Sequence, residues 1–459
     1  MQSMTLDEIL KAVNGTLLNS IDKKEVNGIS TDGRTLKPGD LYIPIIGERF
    51  DGHGFIDQAV EKGTIACFTE KKNYFNKNTN MILVKDTLKA LHDLALHYRK
   101  KFHIPFIAIT GSSGKTTTKD MVASVLEQKY KVLKTKGNFN NEIGLPLTLF
   151  QLESYHEVAV IEMGMSALGE ISRLVHMVYP DIAIITNVGL THIENLGSQE
   201  KIFEAKKEIL ETLSKDQIAL LNGDDKFLGT VKSDKFKVHF IGMSSNKLDL
   251  EARDIVKTEK GIQFCVQDKN NTVEKFFLNL PGVHNVYNSL MAIYIGEYYG
   301  LSHEEIQQGL QKFKPSKMRM DIFEKGQIKI INDVYNANPD SIKAALGVLK
   351  DSSKTRRKIA ILGDMLEMGK WAQKAHYNVG KFLYEYNIDI LIGVGHNAQY
   401  YVQGAIDQGM AKEKAVSFKT NNEAIAYLNK IIQDGDAFLI KGSRGMKMEE
   451  IVTFLQERC

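Results

Sequence analysis

Close cysteine pairs, a surplus of one charge, a long apolar run and a secretory leader are all missing from this chain, and each absence removes a class of function. The three cysteines, Cys67, Cys265 and Cys459, are scattered through 459 residues without the close spacing of zinc ligands or of a disulfide framework. That scatter points to a reducing compartment. Lysine plus arginine number 59 against 56 aspartate plus glutamate, and the formal charge of +3 gives no electrostatic case for nucleic acid or an acidic membrane. The aromatic and basic interleaving of a nucleic-acid groove is absent too. No run of about 18 apolar residues is available to span a bilayer. The opening MQSMTLDEILKAV reads as a short amphipathic helix with acidic residues, unlike a signal peptide. A cytoplasmic protein is expected, with no membrane insertion and no nucleic-acid partner. Internal repeats and low-complexity segments are also missing.

What is present is alternation. The chain is longer than one hydrophobic core usually organises. Residues 1 to about 100 carry short β-like runs at 40–46 and 65–68 and a helical pattern near Leu88 to Tyr98, which reads as a small α/β domain. From about 101 to 315, apolar strands near Ile107 and at 158–161, 182–185 and 218–221 alternate with helical periods, the signature of a parallel sheet with helical crossovers. The helical pattern of 285–313 stops at Lys314-Pro315. From 316 to 459 a second series begins, with strands at 328–332, 359–362, 388–392 and 437–440. The expected fold class is α/β in three domains, with ligands at the carboxyl ends of the strands.

The most specific tract is TGSSGKTTTK at 110–119, preceded by an apolar strand and followed by a helix-like segment. It is a compact G-x-x-G-K-T, since Ile109 stands where the common phosphate loop has glycine. In that setting Gly111, Ser112, Ser113, Gly114, Lys115, Thr116 and Thr117 would cradle the phosphates of a nucleotide, with Lys115 neutralising charge and the Thr116 hydroxyl offered to Mg²⁺.

Two further strands of the same series end in chemistry. Glu162 closes the run 158–161 and is a candidate Mg²⁺ ligand, although a strand-terminal glutamate facing water fits its position equally well. Asn187 and His192 lie in TNVGLTHIENLG, just after the strand 182–185, and so emerge on the same edge as Lys115 and Glu162. Lys206 in FEAKKEIL reads by pattern alone as a solvated helix lysine. Asn285 and Asn288 put two amides on one helical face, where they could bond a purine edge or a phosphate, or cap the helix after Pro281-Gly282.

Taken in order, IAITGSSGKTTTK, KGNFNNEIGLP, IEMGM, TNVGLTHIENLG, the EAKKEI lysine and GVHNVYNSLMA resemble the Mur ligases of bacterial cell-wall synthesis. The tracts INDVYNANPDS, LGDMLEMG and KGSRGMKMEE resemble the MurF type, and no DNPR motif of the preceding ligase is present. The N-terminal tract at 29–56 is similar to the uridine-nucleotide domain of the later Mur ligases, save that Gly33 stands where serine is common. The resemblance implies three domains: 1–100 for the UDP-sugar, 101–315 for ATP, and 316–459 as the C-terminal ligase domain with a Rossmann-like fold.

The same resemblance implies a monomer that uses ATP and Mg²⁺ to join D-alanyl-D-alanine to UDP-N-acetylmuramoyl-tripeptide through an acyl phosphate. It assigns Thr116, Glu162, His192 and Lys206, carbamoylated in the family, to the metal environment. Asn288 falls on the adenine side, and Arg319 and Asp333 fall on ATP phosphate and ribose. Thr31, Asp32 and Arg34 are expected near the uridine, and Asn138, Asn140 and Asn141 near the muramoyl peptide. Asp364, Ser443 and Arg444 are candidates for the dipeptide or tripeptide, arginine being suited to a carboxylate.

Overall fold

The computed structural model describes residues 1–458 apart from 22–23, 48–49, 75, 246, 259–260 and 353–355. Cys459 lies outside the described residues. Three large sheets of five, nine and six strands follow one another along the chain.

The first sheet runs in the order Thr16–Asn19, Asn80–Leu83, Ala66–Thr69, Asp40–Tyr42 and Gly28–Ser30, parallel except for the first pair. Helices Leu6–Val13 and Thr87–Arg99 contact each other beside it. Tyr98 ties this unit to the next, donating its hydroxyl to Leu152 O at 2.7 Å while accepting from Gln2 N at 2.8 Å.

In the nine-stranded sheet the fully buried strand Phe106–Thr110 lies between Val158–Glu162 and Ile182–Ile185, parallel to both. Its neighbours diverge in chain direction at that point, which opens the crevice where doubly wound sheets bind ligands. Register sets Glu162 beside Ile109 and Ile185 beside Thr110, so the loops after all three strands meet at one edge. The sheet then continues past Ile218–Asn222 into a meander, Leu250–Thr258, Gly261–Asp268 and Val273–Leu278, paired antiparallel. Sequence pattern did not signal these three strands. Residues 285–313 form two helices, His284–Tyr298 and His303–Lys312, rather than one continuous period. Both pack on Lys115–Leu126, and Gly309 allows the closest approach, with Ser124 Oγ donating to Gly309 O at 2.7 Å.

The six-stranded sheet runs Asp321–Lys325, Ile328–Asp333, Ala437–Lys441, Lys358–Gly363, Ile390–Val394 and Ala415–Phe418. Only its first strand is antiparallel. The run expected at 388–392 begins as a strand two residues later, after Asp389 accepts from Lys358 N. Parallel register places Lys441 beside Asp333 at the carboxyl edge. One apolar cluster spans all three sheets, and a second fills the far face of the last one.

Candidate active site

The phosphate loop is shaped by the strand next to it. Gly111 has φ 153°, and a Cβ there would stand 1.8 Å from Thr186 Oγ1, so only glycine lets the two strand ends converge. Asn187 then holds Ser113 from both sides, its Oδ1 accepting from Ser113 N at 2.9 Å and its Nδ2 donating to Ser113 O at 3.0 Å. Gly114, at φ 83°, precedes helix Lys115–Leu126. Lys115 Nζ donates to Gly111 O at 2.7 Å. Burial pulls its pKa below the ordinary lysine value, while Glu162 opposes that shift and Arg319 adds to it.

This loop floors a cavity of about 480 Å³. Ser112, Ser113, Gly114, Lys115, Thr116, Thr117, Glu162 and His192 line it, with Asn138, Asn140, Asn141, Asn285, Asn288, Arg319 and Asp333. Gly111 lies just beneath. Glu162 is 1% exposed, its Oε1 accepts from Asn140 Nδ2 at 2.8 Å, and its Oε2 has no hydrogen-bond partner among the described residues. A buried carboxylate oxygen left free in this way invites a cation. Lys119 Nζ stands 3.9 Å from it and is occupied by Thr135 O at 2.7 Å.

The chain does not build a metal cage by itself. Among the described residues no three His, Cys, Asp or Glu side chains gather as a metal site. A free Glu162 oxygen in the same cavity wall as Thr116 fits Mg²⁺, which is held through one or two protein oxygens together with phosphates and water.

Lys206 departs from its solvated reading: it is 2% exposed and makes no hydrogen bond or ion pair among the described residues. Burial drives its pKa well below the ordinary value, and Lys115 pushes in the same direction. Burial therefore favours the unprotonated amine over the ammonium. The ring of His192 sits with Nδ1 2.5 Å from Glu367 Oε2, a close approach without the alignment of a hydrogen bond.

The far end of the cavity is a slot walled by Leu280, His284, Tyr287 and Met291. Asn285 Nδ2 donates to Pro281 O at 2.7 Å, Asn288 Nδ2 to Asn285 Oδ1 at 3.0 Å, and Thr118 Oγ1 to Asn288 Oδ1 at 3.1 Å. The two asparagines thus link the slot to the helix that starts at Lys115. The six-stranded sheet supplies the opposite wall. Asp333 Oδ2 accepts from Lys441 Nζ at 2.6 Å and Oδ1 from Met320 N at 3.2 Å, while the Arg319 guanidinium lies 3.9 Å over the Tyr335 ring. Lys441, Tyr335 and Asn338 were not anticipated. Register opposite Asp333 gives Lys441 its place once the strands are paired.

A second cavity, of about 690 Å³, separates the first two sheets and is lined by Thr31 and Asp32. Asn138 and Asn141 belong to the walls of both cavities. Arg34 stays outside the wall and grips Asp32 through Nε and NH2, at 3.0 and 2.8 Å, which holds that carboxylate down at about 2.

Besides Arg34, three expected substrate residues reach neither cavity. The Asp364 carboxylate accepts from His396 N at 2.8 Å and Asn397 N at 3.1 Å, tethering the start of helix Ala398–Asp407. Ser443 Oγ accepts from Leu366 N at 2.9 Å. Arg444 pairs with Glu449 at 2.9 Å and donates to Met318 Sδ at 3.3 Å, one residue from Arg319.

The chain matches three family models: "Mur ligase family, catalytic domain" over 25–99, "Mur ligase middle domain" over 109–296, and "Mur ligase, glutamate ligase domain" over 318–444. It is 39% identical over 456 residues to the UDP-N-acetylmuramoyl-tripeptide--D-alanyl-D-alanine ligase of Bacillus subtilis, with 99% of this chain and 98% of the relative covered. The Escherichia coli protein of that name is 33% identical over 462 residues, with 100% and 99% covered. Among solved structures, MurF from Acinetobacter baumannii superposes with a TM-score of 0.93 at 30% identity, both chains covered in full. MurF from Thermotoga maritima in complex with ADP gives 0.84 at 26% identity, covering 94% of this chain and 97% of that one.

Proposed function

We propose, since this chain belongs to the Mur ligase family, that it joins D-alanyl-D-alanine to UDP-N-acetylmuramoyl-tripeptide, giving the pentapeptide precursor, ADP and phosphate. The observation that carries this reading is one cleft in which Lys115, Glu162 and His192 face Arg319 and Asp333, and whose Asn138 and Asn141 wall continues into the cavity of Thr31 and Asp32.

A carboxylate in water condenses with an amine only after one of its oxygens becomes a leaving group. The terminal carboxylate of the tripeptide attacks the γ-phosphorus of ATP, and ADP departs. The free amine of D-alanyl-D-alanine then adds to the acyl carbon, loses its proton, and the tetrahedral adduct expels phosphate. Anions meet in the first step, so positioning and charge neutralisation carry it.

Lys115 and the loop from Gly111 to Thr117 bind the phosphates. Asn285 and Asn288 take the adenine side, with Arg319 and Asp333 on phosphate and ribose. Thr116, Glu162, His192 and a carbamoylated Lys206 would hold Mg²⁺, which when bound neutralises the phosphate oxygens. Carbamoylation needs an unprotonated amine, and the burial of Lys206 supports that. Thr31, Asp32 and Arg34 serve the uridine end and Asn138, Asn140 and Asn141 the muramoyl peptide, Asn140 also fixing Glu162. Arg444 receives the dipeptide carboxylate, while Asp364 and Ser443 hold the loops beside it.

The functional units are 1–100, 101–315 and 316–459. The family resemblance extends this proposal to a monomer that works in the cytoplasm. None of the described helices is long and apolar enough to cross a membrane.

The test is phosphate release from ATP and Mg²⁺ with UDP-N-acetylmuramoyl-tripeptide, with and without D-alanyl-D-alanine, and mass analysis of the product. Dipeptide-dependent release with a pentapeptide product is expected. Turnover only with a single amino acid and the shorter precursor would move the chain to the preceding ligase.

A further inference from the structure

Helix Pro339–Lys350 opens on Asn338, whose Oδ1 accepts from Ser341 N at 2.8 Å while Ser341 Oγ accepts from Asn338 N at 3.0 Å. This reciprocal cap satisfies two backbone donors and uses only one end of the amide. The other end crosses to the central sheet. Asn338 Nδ2 donates to Thr191 Oγ1 at 2.8 Å and to Ser113 Oγ at 3.1 Å, and its two hydrogens allow both bonds at once. Thr191 passes the contact on, its hydroxyl donating to Ser112 O at 3.2 Å. Asn338 is 5% exposed, so water does not stand in for these partners.

We infer that Asn338 is a positioning residue that registers the C-terminal domain on the phosphate loop, bringing Arg319 and Asp333 to the nucleotide only when Ser113 and Thr191 stand within its reach. The inference rests on the reading of the cleft as an ATP site. Four residues separate Asn338 from Asp333, and that stretch is itself braced. Tyr335 lies under Arg319, and Asn336 O accepts from Lys441 Nζ at 2.8 Å. A shift at Asn338 is therefore carried to Arg319 and Asp333 rather than absorbed between them.

The residue type follows from the double duty. A cap needs a short-reach acceptor, and the bridge needs a donor pointing away from it. Aspartate keeps the cap but has no donor, and it sets a negative charge beside a loop built for phosphates. Serine also caps a helix well, yet it is too short to span the interface. The two roles are separable by substitution.

The experiment uses the full-length protein and the variants Asn338→Ser, Asn338→Asp and Ser341→Ala. Thermal melts, steady-state kinetics, and the radius of gyration by small-angle scattering in saturating ADP are compared with the wild type. Asn338→Ser and Asn338→Asp are expected to melt within a few degrees of the wild type and to lose roughly 10- to 100-fold in kcat, the scale of two lost hydrogen bonds. Their KM for UDP-N-acetylmuramoyl-tripeptide should hold, and they should be more expanded than the wild type in ADP. Ser341→Ala should lower the melting temperature and keep the compact scattering profile. Wild-type kcat and compactness in Asn338→Ser, or the same expansion in Ser341→Ala, would reduce Asn338 to a cap and overturn the inference. Absence of ligation by the wild type would instead reject the functional reading, and the scattering comparison in ADP would still decide the role of Asn338.

Discussion

His192 and Glu367 meet between the central and C-terminal sheets, Nδ1 to Oε2 at 2.5 Å, and both hold left-handed backbones, φ 63° and 60°. Neither is glycine, so each conformation costs on the order of 1 kcal/mol or more and persists only where its surroundings fix it. His192 holds the Glu367 carboxyl below the ordinary glutamate value. With Nδ1 faced by a carboxylate, Nε2 is the ring nitrogen left for a ligand. Glu367→Ala is expected to lower kcat by about tenfold or more while the KM for ATP moves less. An unchanged kcat would show that the contact is incidental.

Lys206 offers a chemical test of the metal environment. Its buried amine should take up carbon dioxide, visible as a carbamate resonance when the protein is equilibrated with isotope-labelled bicarbonate. Lys206→Ala should lose the resonance and most of its activity, with part of the rate restored by added formate or acetate. A full-rate Lys206→Ala enzyme would remove the residue from the mechanism.

A pH dependence of stability follows from His284, whose pKa burial pushes from 6.5 down to about 4. The native imidazole stays neutral between those values while the unfolded chain binds a proton. Stability is therefore fully present above pH 6.5 and declines as pH falls toward about 4. Thermal melts across that window should fall less steeply for His284→Gln than for the wild type. Parallel curves would place the proton linkage elsewhere.

Gly309 tests the packing behind the phosphate loop. A Cβ there would lie 2.5 Å from Val125 Cα, so Gly309→Ala forces helices His303–Lys312 and Lys115–Leu126 apart. Overpacking costs about 1–3 kcal/mol, and the better helix propensity of alanine returns at most about 1 kcal/mol. A lower denaturation midpoint is expected; a raised one would mean the helices can separate freely.

The sequence exposed the parallel strands and one edge of the cleft for a single physical reason. Parallel strands share polarity, so residues just past their ends converge whatever lies between them, and Lys115, Glu162 and His192 were legible together. Lys206 was hidden because a helical lysine among charges looks solvated until its helix is packed. Asn338 and Glu367 depend on how one sheet docks against another, and Lys441 on which strand pairs with Ile328–Asp333, neither of which a local pattern carries. Asp364 was a candidate for the peptide only through the family resemblance, and its oxygens are taken by His396 N and Asn397 N. The meander at 250–278 escaped because its strands lie partly open to solvent, with no sustained apolar run.

Asn138 and Asn141 form the partition common to both cavities, and that partition turns distance into selectivity. A substrate gripped near Thr31 and Asp32 must extend far enough for its distant acid to arrive at Lys115. Each extended residue adds about 3.5 Å, whereas a misplacement of about 1 Å already costs roughly a hundredfold in rate. If that span matches the tripeptide, one residue fewer would leave the acid short of Lys115 and one more would carry it past. On the proposed reading the protein would work as a calliper, gauging how long the peptide is before any side chain is read.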